Sequence, residues 1–338
     1  MANEMMEIQS GLKAKRIKWG ADQNYISRTF MKELRENNKT KKIYGINPYV
    51  EVYQFRDQIY GLFTQNCDGA GDVWMYLIIG SQKALLIDTA FGLGDLKGLV
   101  DQLTGGKPLY VVNTHGHCDH AYGNCRFEKI YCHEYEKKVL EQQDKNMWDY
   151  LFDEEGRNIW LDFDRKDLPI FGKYEIEAVP DGYTFELGDH HEVELVWLGG
   201  HAPGQAGLLD KKNRIFFPGD DLCSDVSNVA SGPRPGVPNG QYINLTTFRN
   251  NLEKVVERID EFDSVFPSHF MNDIESKVLV NELETCDEIL KDPENYDYKA
   301  VTVSPKDGSL RERMYKYIRG FSVISYTMQG IYPSQGGL

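Results

Sequence analysis

The 338 residues include only six cysteines, and no two of them form a C-x-x-C pair. A supply so sparse does not build a disulfide scaffold and fits a reducing compartment, so a cytoplasmic location is expected. No apolar run reaches 18 residues, and the longest, Val73 to Ile79, is the length of one strand. A membrane-spanning helix is therefore not expected. Positive charge is scarce, with 38 Lys and Arg against 52 Asp and Glu for a net charge of -14. Such a surface repels polyphosphate backbones and anionic headgroups, which argues against nucleic acid and membrane surfaces as partners. The 31 glycines follow no three-residue period, which excludes a collagen-like chain, and 41% apolar residues exclude a disordered one. Lys13, Lys15, Arg16 and Lys18 are followed by no apolar stretch, so a secretory leader is not expected.

What is present reads as a layered α/β protein. Residues 1–45 are polar and form an N-terminal extension with a helix predicted from Ser27 to Asn37. The extension is expected to pack on the main body or on a second copy of the chain, which allows a homo-oligomer. From Val50 the texture becomes β-rich, with runs at Val50–Phe55, Ile59–Thr64, Trp74–Ile79 and Lys83–Asp88. A helix is predicted from Asp95 to Leu103, then a short strand at Leu109–Val112 that runs into Asn113-Thr114-His115. Glu134–Gln143 reads as a helix. Later strands are expected at Tyr183–Leu187, Glu192–Leu198 and Ser264–Phe266, with a hairpin joining Leu208-Leu209 to Ile215–Phe217. Leu245–Ile259 and Lys277–Lys291 have helical patterning. Strands alternating with helices argue for a central body over residues 46–292. A C-terminal extension, 293–338, packs on it and carries a β-rich run at Phe321–Met328.

Chemistry concentrates in His115-Gly116-His117-Cys118-Asp119-His120. The chain has eight histidines, and three of them lie in these six residues directly after a buried strand. Packing does not call for such a cluster. Imidazole and carboxylate are the normal ligands of zinc and similar divalent ions. His115 and His117, two apart on an extended turn, can face one ion, while Asp119 and His120 turn towards a second.

With this H-x-H-x-D-H segment the sequence resembles the metallo-β-lactamase superfamily. Further elements of its pattern follow in order: Asp88 at the end of Leu85-Leu86-Ile87-Asp88-Thr89, His201 in Gly200-His201-Ala202-Pro203-Gly204, Asp220 in Gly219-Asp220, and His269 in Pro267-Ser268-His269. The resemblance implies a four-layer αββα sandwich and two divalent metal ions, Zn2+ first, with Mn2+ or Fe2+ also accepted by such ligands. It implies that His115, His117 and His201 hold one ion, that Asp119, His120 and His269 hold the other, and that Asp220 bridges them. Asp88 then orients the metal loop without binding metal. It also implies a hydrolase of the glyoxalase II or lactonase type, in which a hydroxide between the ions attacks a small ester-like carbonyl. Asp119 and Asp220 are its expected catalytic carboxylates, Asp119 holding or shuttling a proton.

Departures from the family pattern sharpen the reading. Gln205 stands where thioesterases and lactonases commonly have a last histidine, and Asp220 stands where antibiotic-hydrolysing members have cysteine. His117 replaces the glutamate of the flavin-linked di-iron branch. The substrate is expected to be a thioester, a lactone or a related cyclic compound. The alternatives are a mononuclear iron dioxygenase of sulfur compounds, a small-molecule phosphodiesterase, and a ring-opening hydrolase of a cyclic diketone. Trp74, Tyr76, Tyr122 and Asn124 flank the metal-binding segment, while Arg234 and Tyr242 lie in a Gly/Pro-rich loop after Asp220. From these, Trp74, Arg234 and Tyr242 are taken as substrate contacts. Two irregular segments, 148–168 with Trp148, Trp160 and Phe163 and 223–244 with Arg234 and Tyr242, are expected to wall the site. Cys118 is expected only to fill its place in the motif, and His133, His190 and His191 are expected on the surface.

Overall fold

A computed structural model describes residues 11–20, 25–303 and 310–334. Alternation along the strands dictates its layers. In Val73–Ile79 every side chain is buried. Trp74, Tyr76 and Ile78 face one core, while Val73, Met75, Leu77 and Ile79 face another. A strand covered on both faces must lie inside a sheet that is itself sandwiched. The second sheet repeats the pattern: Leu208 and Phe217 point to the shared core, and the adjacent Leu209 and Phe216 point outwards beneath helices.

The first sheet has eight strands in the spatial order Glu175–Val179, Lys129–His133, Leu109–Val112, Ala84–Ile87, Val73–Ile79, Ile59–Thr64, Asn47–Arg56 and Lys42–Tyr44. The first three pairings are parallel and the rest antiparallel. The second has six, ordered Thr184–Glu186, Glu192–Trp197, Ala206–Asp210, Ile215–Phe217, Ser264–Val265 and Ile274–Glu275. The helix Leu96–Thr104 covers the outer face of the first sheet. It is started by Asp95, whose carboxylate accepts from Gly98 N at 2.8 Å, and it ends at Gly105 in the left-handed conformation. Helices Leu245–Val256 and Val278–Lys291 cover the outer face of the second. The result is the expected αββα sandwich.

The extensions are built into this body. Helix Tyr25–Asn37 puts Met31 into the core between the sheets, and its buried Arg35 pairs with buried Glu51 at 2.9 Å. Strands Tyr298–Val303, Leu310–Tyr317 and Val323–Tyr326 form a four-stranded sheet with Ser227–Ala230. Met314, Ile318, Ile324 and Tyr326, on or beside this sheet, share one core with the two C-terminal helices.

Three segments depart from the sequence reading. Glu134–Gln143 is mostly turn, with helix only at Lys137–Leu140, because Glu136 is drawn inwards by two loop N–H groups. Part of 223–244 is the strand Ser227–Ala230, whose partner is Val323–Tyr326 near the far end of the chain and leaves no local pattern. Residues 148–168 are short turns and one two-residue strand, Leu161–Asp162, paired with Lys15–Arg16. Trp148, Leu151, Leu161 and Phe163 are buried there against Ala14, Tyr49, Phe91 and Leu93. Those side chains are core, and no residue of the segment lines the site. His133 and His191 are also buried, not superficial. His133 stacks on Trp197 at 5.3 Å, and His191 Nε2 lies 3.0 Å from Asp210 Oδ1. His190 is exposed as expected.

Candidate metal centre

Every predicted donor sits just past the end of a strand, in the turn that follows it or, for Asp119 and His120, in the short helix Cys118–Ala121. His115, His117, Asp119 and His120 follow the strand Leu109–Val112, His201 follows Glu192–Trp197, Asp220 follows Ile215–Phe217, and His269 follows Ser264–Val265. The sheets thus deliver seven side chains from distant stretches of chain to one edge. His117 Nδ1 lies 2.9 Å from both His115 Nε2 and His201 Nε2. His269 Nε2 lies 3.3 Å from His120 Nε2 and 3.4 Å from Asp119 Oδ2. Asp220 stands between the groups, with Oδ1 3.2 Å from His120 Nε2 and Oδ2 3.5 Å from His201 Nε2 and 3.3 Å from His269 Nε2.

Outer partners orient these rings. His120 Nδ1 faces Asp88 Oδ2 at 2.9 Å, His201 Nδ1 faces the Asn228 carbonyl at 3.1 Å, and His269 Nδ1 faces the Asp72 carbonyl at 3.0 Å. His115 Nδ1 faces Thr114 Oγ1 at 3.1 Å. A proton on each outer nitrogen leaves the inner one as a lone pair. Asp88 also accepts from Thr114 N and Thr114 Oγ1, both at 2.8 Å. It is fully buried with φ at +63°, a backbone conformation rarely adopted outside glycine. Asn66 Nδ2 donates to Asp119 Oδ2 at 2.9 Å.

Electrostatics split the cluster. Burial, then the charge of neighbouring histidines, holds His115 well below its ordinary pKa and His117 at about 3. Burial likewise holds His201 below the usual value. Burial would also depress His120 and His269, but Asp220 and Asp119 outweigh it, holding His120 at about 10 and His269 well above its usual value. Burial would raise Asp119 and Asp220, but those two histidines hold both below the carboxylate range. Three neutral imidazoles with converging lone pairs repel one another unless a cation lies among them. Asp220 Oδ1 is buried and makes no hydrogen bond despite its nearness to His120. His115, His117 and His201 form one group able to hold an ion, His115, His120 and Asp220 another, and Asp119, His120 and His269 a third. This donor chemistry fits divalent metal ions.

The family model described as "Metallo-beta-lactamase superfamily" matches residues 68–225. Over that segment, just under half of the chain, the sequence is similar to the metallo-β-lactamase superfamily. Its fold is similar to that of a metallo-β-lactamase from Pontibacter korlensis, with a TM-score of 0.50 and 15% identity over 70% of this chain and 99% of that one. A metallo-β-lactamase family protein from Thermus thermophilus also has a TM-score of 0.50, at 16% identity over 73% of this chain and 85% of that one. Among curated proteins, the acyl-coenzyme A thioesterase MBLAC2 of Homo sapiens is 26% identical over 211 residues, 58% of this chain and 72% of its own. The counterpart from Gallus gallus is 27% identical over the same shares. The expectation of a metallo-β-lactamase superfamily hydrolase made from the sequence therefore stands.

On the substrate side the structure corrects the sequence reading. Trp74 is fully buried between the sheets, its indole donating to the Phe270 carbonyl at 2.9 Å. Tyr76 and Asn124 are fully buried too, and Tyr122 packs edge-on against Phe91 and Trp148. Tyr242 stacks on Tyr135 at 4.4 Å and does not line the cleft over the donors. Alternation and aromatic content could not tell these walls from core. The cleft has a volume of about 480 Å³ and is lined by Gly71, Cys223, Asn228, Arg313 and Tyr315 together with His117, Asp119, His201, Asp220 and His269. Arg234 is exposed in the adjoining loop, and its charge helps depress His117 and His201. Gln205 is buried and donates to the Pro218 carbonyl at 2.9 Å. Cys118 belongs to none of the donor groups, and its thiol meets Asp68 Oδ2 at 3.5 Å.

One residue was not anticipated. Glu136 is buried, with Oε1 accepting from Gly116 N at 2.8 Å and Oε2 from Gly204 N at 2.7 Å. It therefore ties the loop of His115 and His117 to the loop of His201. A side chain at Gly204 would meet the Glu136 backbone at 2.5 Å, so only glycine permits this approach. A buried glutamate well beyond the motif carries no signal in one sequence.

Proposed function

We propose that this chain is a thioesterase working with two divalent ions, with zinc as the first choice. The single observation that carries the reading is the convergence of three complete donor groups on one open cleft, with rings oriented from behind. His115, His117 and His201 would hold one ion, and Asp119, His120 and His269 the other, with Asp220 between. Divalent ions in these positions supply Lewis acidity, which acidifies water and polarises a carbonyl. Asp119 has Oδ2 fixed by Asn66 and Oδ1 free of any comparably short donor, so Oδ1 is the atom that takes up the proton. A thiolate leaves at lower basicity than an alkoxide, so the cleft needs no acid on the leaving side. The thioester is chosen over a lactone because the curated relatives are acyl-coenzyme A thioesterases. A full second donor group argues against a mononuclear iron dioxygenase. The test is metal quantification on purified protein with a panel of thioesters, lactones and small phosphodiesters. Two ions per chain and preferential thioester turnover are expected. One iron with oxygen uptake, or turnover of phosphodiesters alone, would replace this reading.

A further inference from the structure

Beside the carboxylates Asp119, Asp220 and Asp225, the cleft is lined by one arginine, Arg313, and divalent ions on the donors would neutralise the first two of these acids. Arg313 rises from the strand Leu310–Tyr317, where Arg311, Arg313 and Tyr315 share a face by strand alternation. Arg313 and Tyr315 line the cleft with His117, His201 and Asp220. Arg313 Nη1 donates to Asn228 Oδ1 at 3.0 Å and to Ser325 Oγ at 2.8 Å. The carbonyl of the same Asn228 receives His201 Nδ1 at 3.1 Å, so one residue sets the arginine beside the metal donors. Arg234, in the loop after Asp220, bonds only weakly to Ser231 Oγ at 3.4 Å.

Neither Arg313 nor Arg234 has a carboxylate within 4.0 Å among the described residues, in a chain with 52 acidic side chains. Elsewhere Arg16 pairs with Asp72, Arg35 with Glu51 and Arg258 with Glu194, while half-buried Arg126 is satisfied by two backbone carbonyls. The charges at the cleft instead oppose each other. The protein packed around the loop, and then the charges of Arg313 and Arg311, lower the Arg234 guanidinium although its side chain reaches solvent. Arg313 and Arg234, two like charges with no carboxylate in direct contact, repel each other until an anion joins them.

We propose that Arg313 and Arg234 form the seat for a phosphate group carried on the thiol side of the thioester, beside the metal end of the cleft. This deepens the thioesterase reading and rests on it. A carboxylate is matched by one guanidinium, whereas a phosphate with two charges and three terminal oxygens matches two forks at once. Arg313 and Tyr315 lie beyond the segment that the superfamily model matches, so the seat is an addition of the C-terminal sheet to the common core.

The test compares calorimetric binding of 4′-phosphopantetheine and pantetheine to the metal-loaded full chain. Both carry the same thiol, so contact of the thiol with metal cancels in the ratio of their affinities, whereas any contact of the phosphate with metal would survive both arginine substitutions. The phosphorylated thiol should bind about 10- to 100-fold more tightly, as a charge-assisted hydrogen-bonded pair does. That ratio should fall towards one in Arg313→Ala and in Arg234→Ala, and recover in part in Arg313→Lys. The ratio is internal to each variant, so general loss of stability leaves it unmoved, and exposed Arg234 covers the case of Arg313→Ala failing to fold. A ratio near one in the parent chain, or one unchanged by both substitutions, overturns the seat. Because no turnover is read, absence of thioesterase activity would count against the proposed reaction and leave this measurement standing.

Discussion

The four donors that follow the first sheet and the three that come from the second are held in opposite ways. On the first side the ring anchor is a buried side-chain carboxylate, Asp88, which grips Thr114 and His120, while Glu136 ties the Gly116 amide of this side to the Gly204 amide of the other. On the second side His201 and His269 lean on the carbonyls of Asn228 and Asp72, which no side-chain substitution removes. The first side lies wholly within the segment matched across the superfamily, and the second opens onto the C-terminal sheet. Anchoring by side chains makes the first half sensitive to single substitutions. Anchoring by backbone lets loops on the second half vary while the histidines keep their orientation.

Asp220 lies between both halves, and its removal should have the largest effect. Asp220→Ala is expected to lose at least one ion per chain and all measurable turnover, read by metal quantification and thioester hydrolysis. Two retained ions with an undiminished rate would separate Asp220 from the centre. Next is Trp148, buried behind the first half. Trp148→Ala should destabilise the fold by about 3–5 kcal/mol, the usual cost of emptying a buried aromatic site, while the KM of the surviving enzyme holds. A raised KM at unchanged melting temperature would return residues 148–168 to the cleft.

Asp88→Asn should cost about 10- to 100-fold in metal affinity or activity, because one of the two accepting oxygens becomes an NH2 donor that faces the Thr114 amide or the Thr114 hydroxyl and His120. Asp72→Asn, which keeps the carbonyl behind His269, should cost less. Equal losses would erase the contrast between the two halves.

Glu136 gives the smallest and most conditional effect. Burial pushes its carboxyl up to about 7, against the pull of the Gly204 and Gly116 amides. The folded chain therefore keeps a proton that the unfolded chain releases near the ordinary glutamate value, and this contribution to stability declines as pH rises towards 7. The melting-temperature advantage of the parent over Glu136→Gln should be larger at pH 5 than at pH 8. An advantage independent of pH would place the proton elsewhere.

Much of the centre was legible because its chemistry is written locally. His115, His117, Asp119 and His120 sit within six residues, and Asp88, His201, Asp220 and His269 each follow a recognisable strand. Of the three residues taken as substrate contacts, only Arg234 stays exposed, in the loop after Asp220. Trp74 and Trp148 resemble wall residues in sequence, since exposed and buried aromatics share the same letters, yet both are core. Arg313 lay in a tail whose strands pair with Ser227–Ala230.

By itself the sequence determined the donor types, their order along the chain and the alternation that makes strands buried on both faces. These are properties of neighbouring residues, and neighbouring residues decide local conformation. Only the tertiary structure decided that Glu136 would join two loops, that residues 148–168 would be swallowed as core, and that Arg313 would stand beside His201. Each of those contacts joins residues far apart along the chain. Nothing in the local chain sets such a meeting. It is set by which sheet edges pair and which apolar faces close on each other.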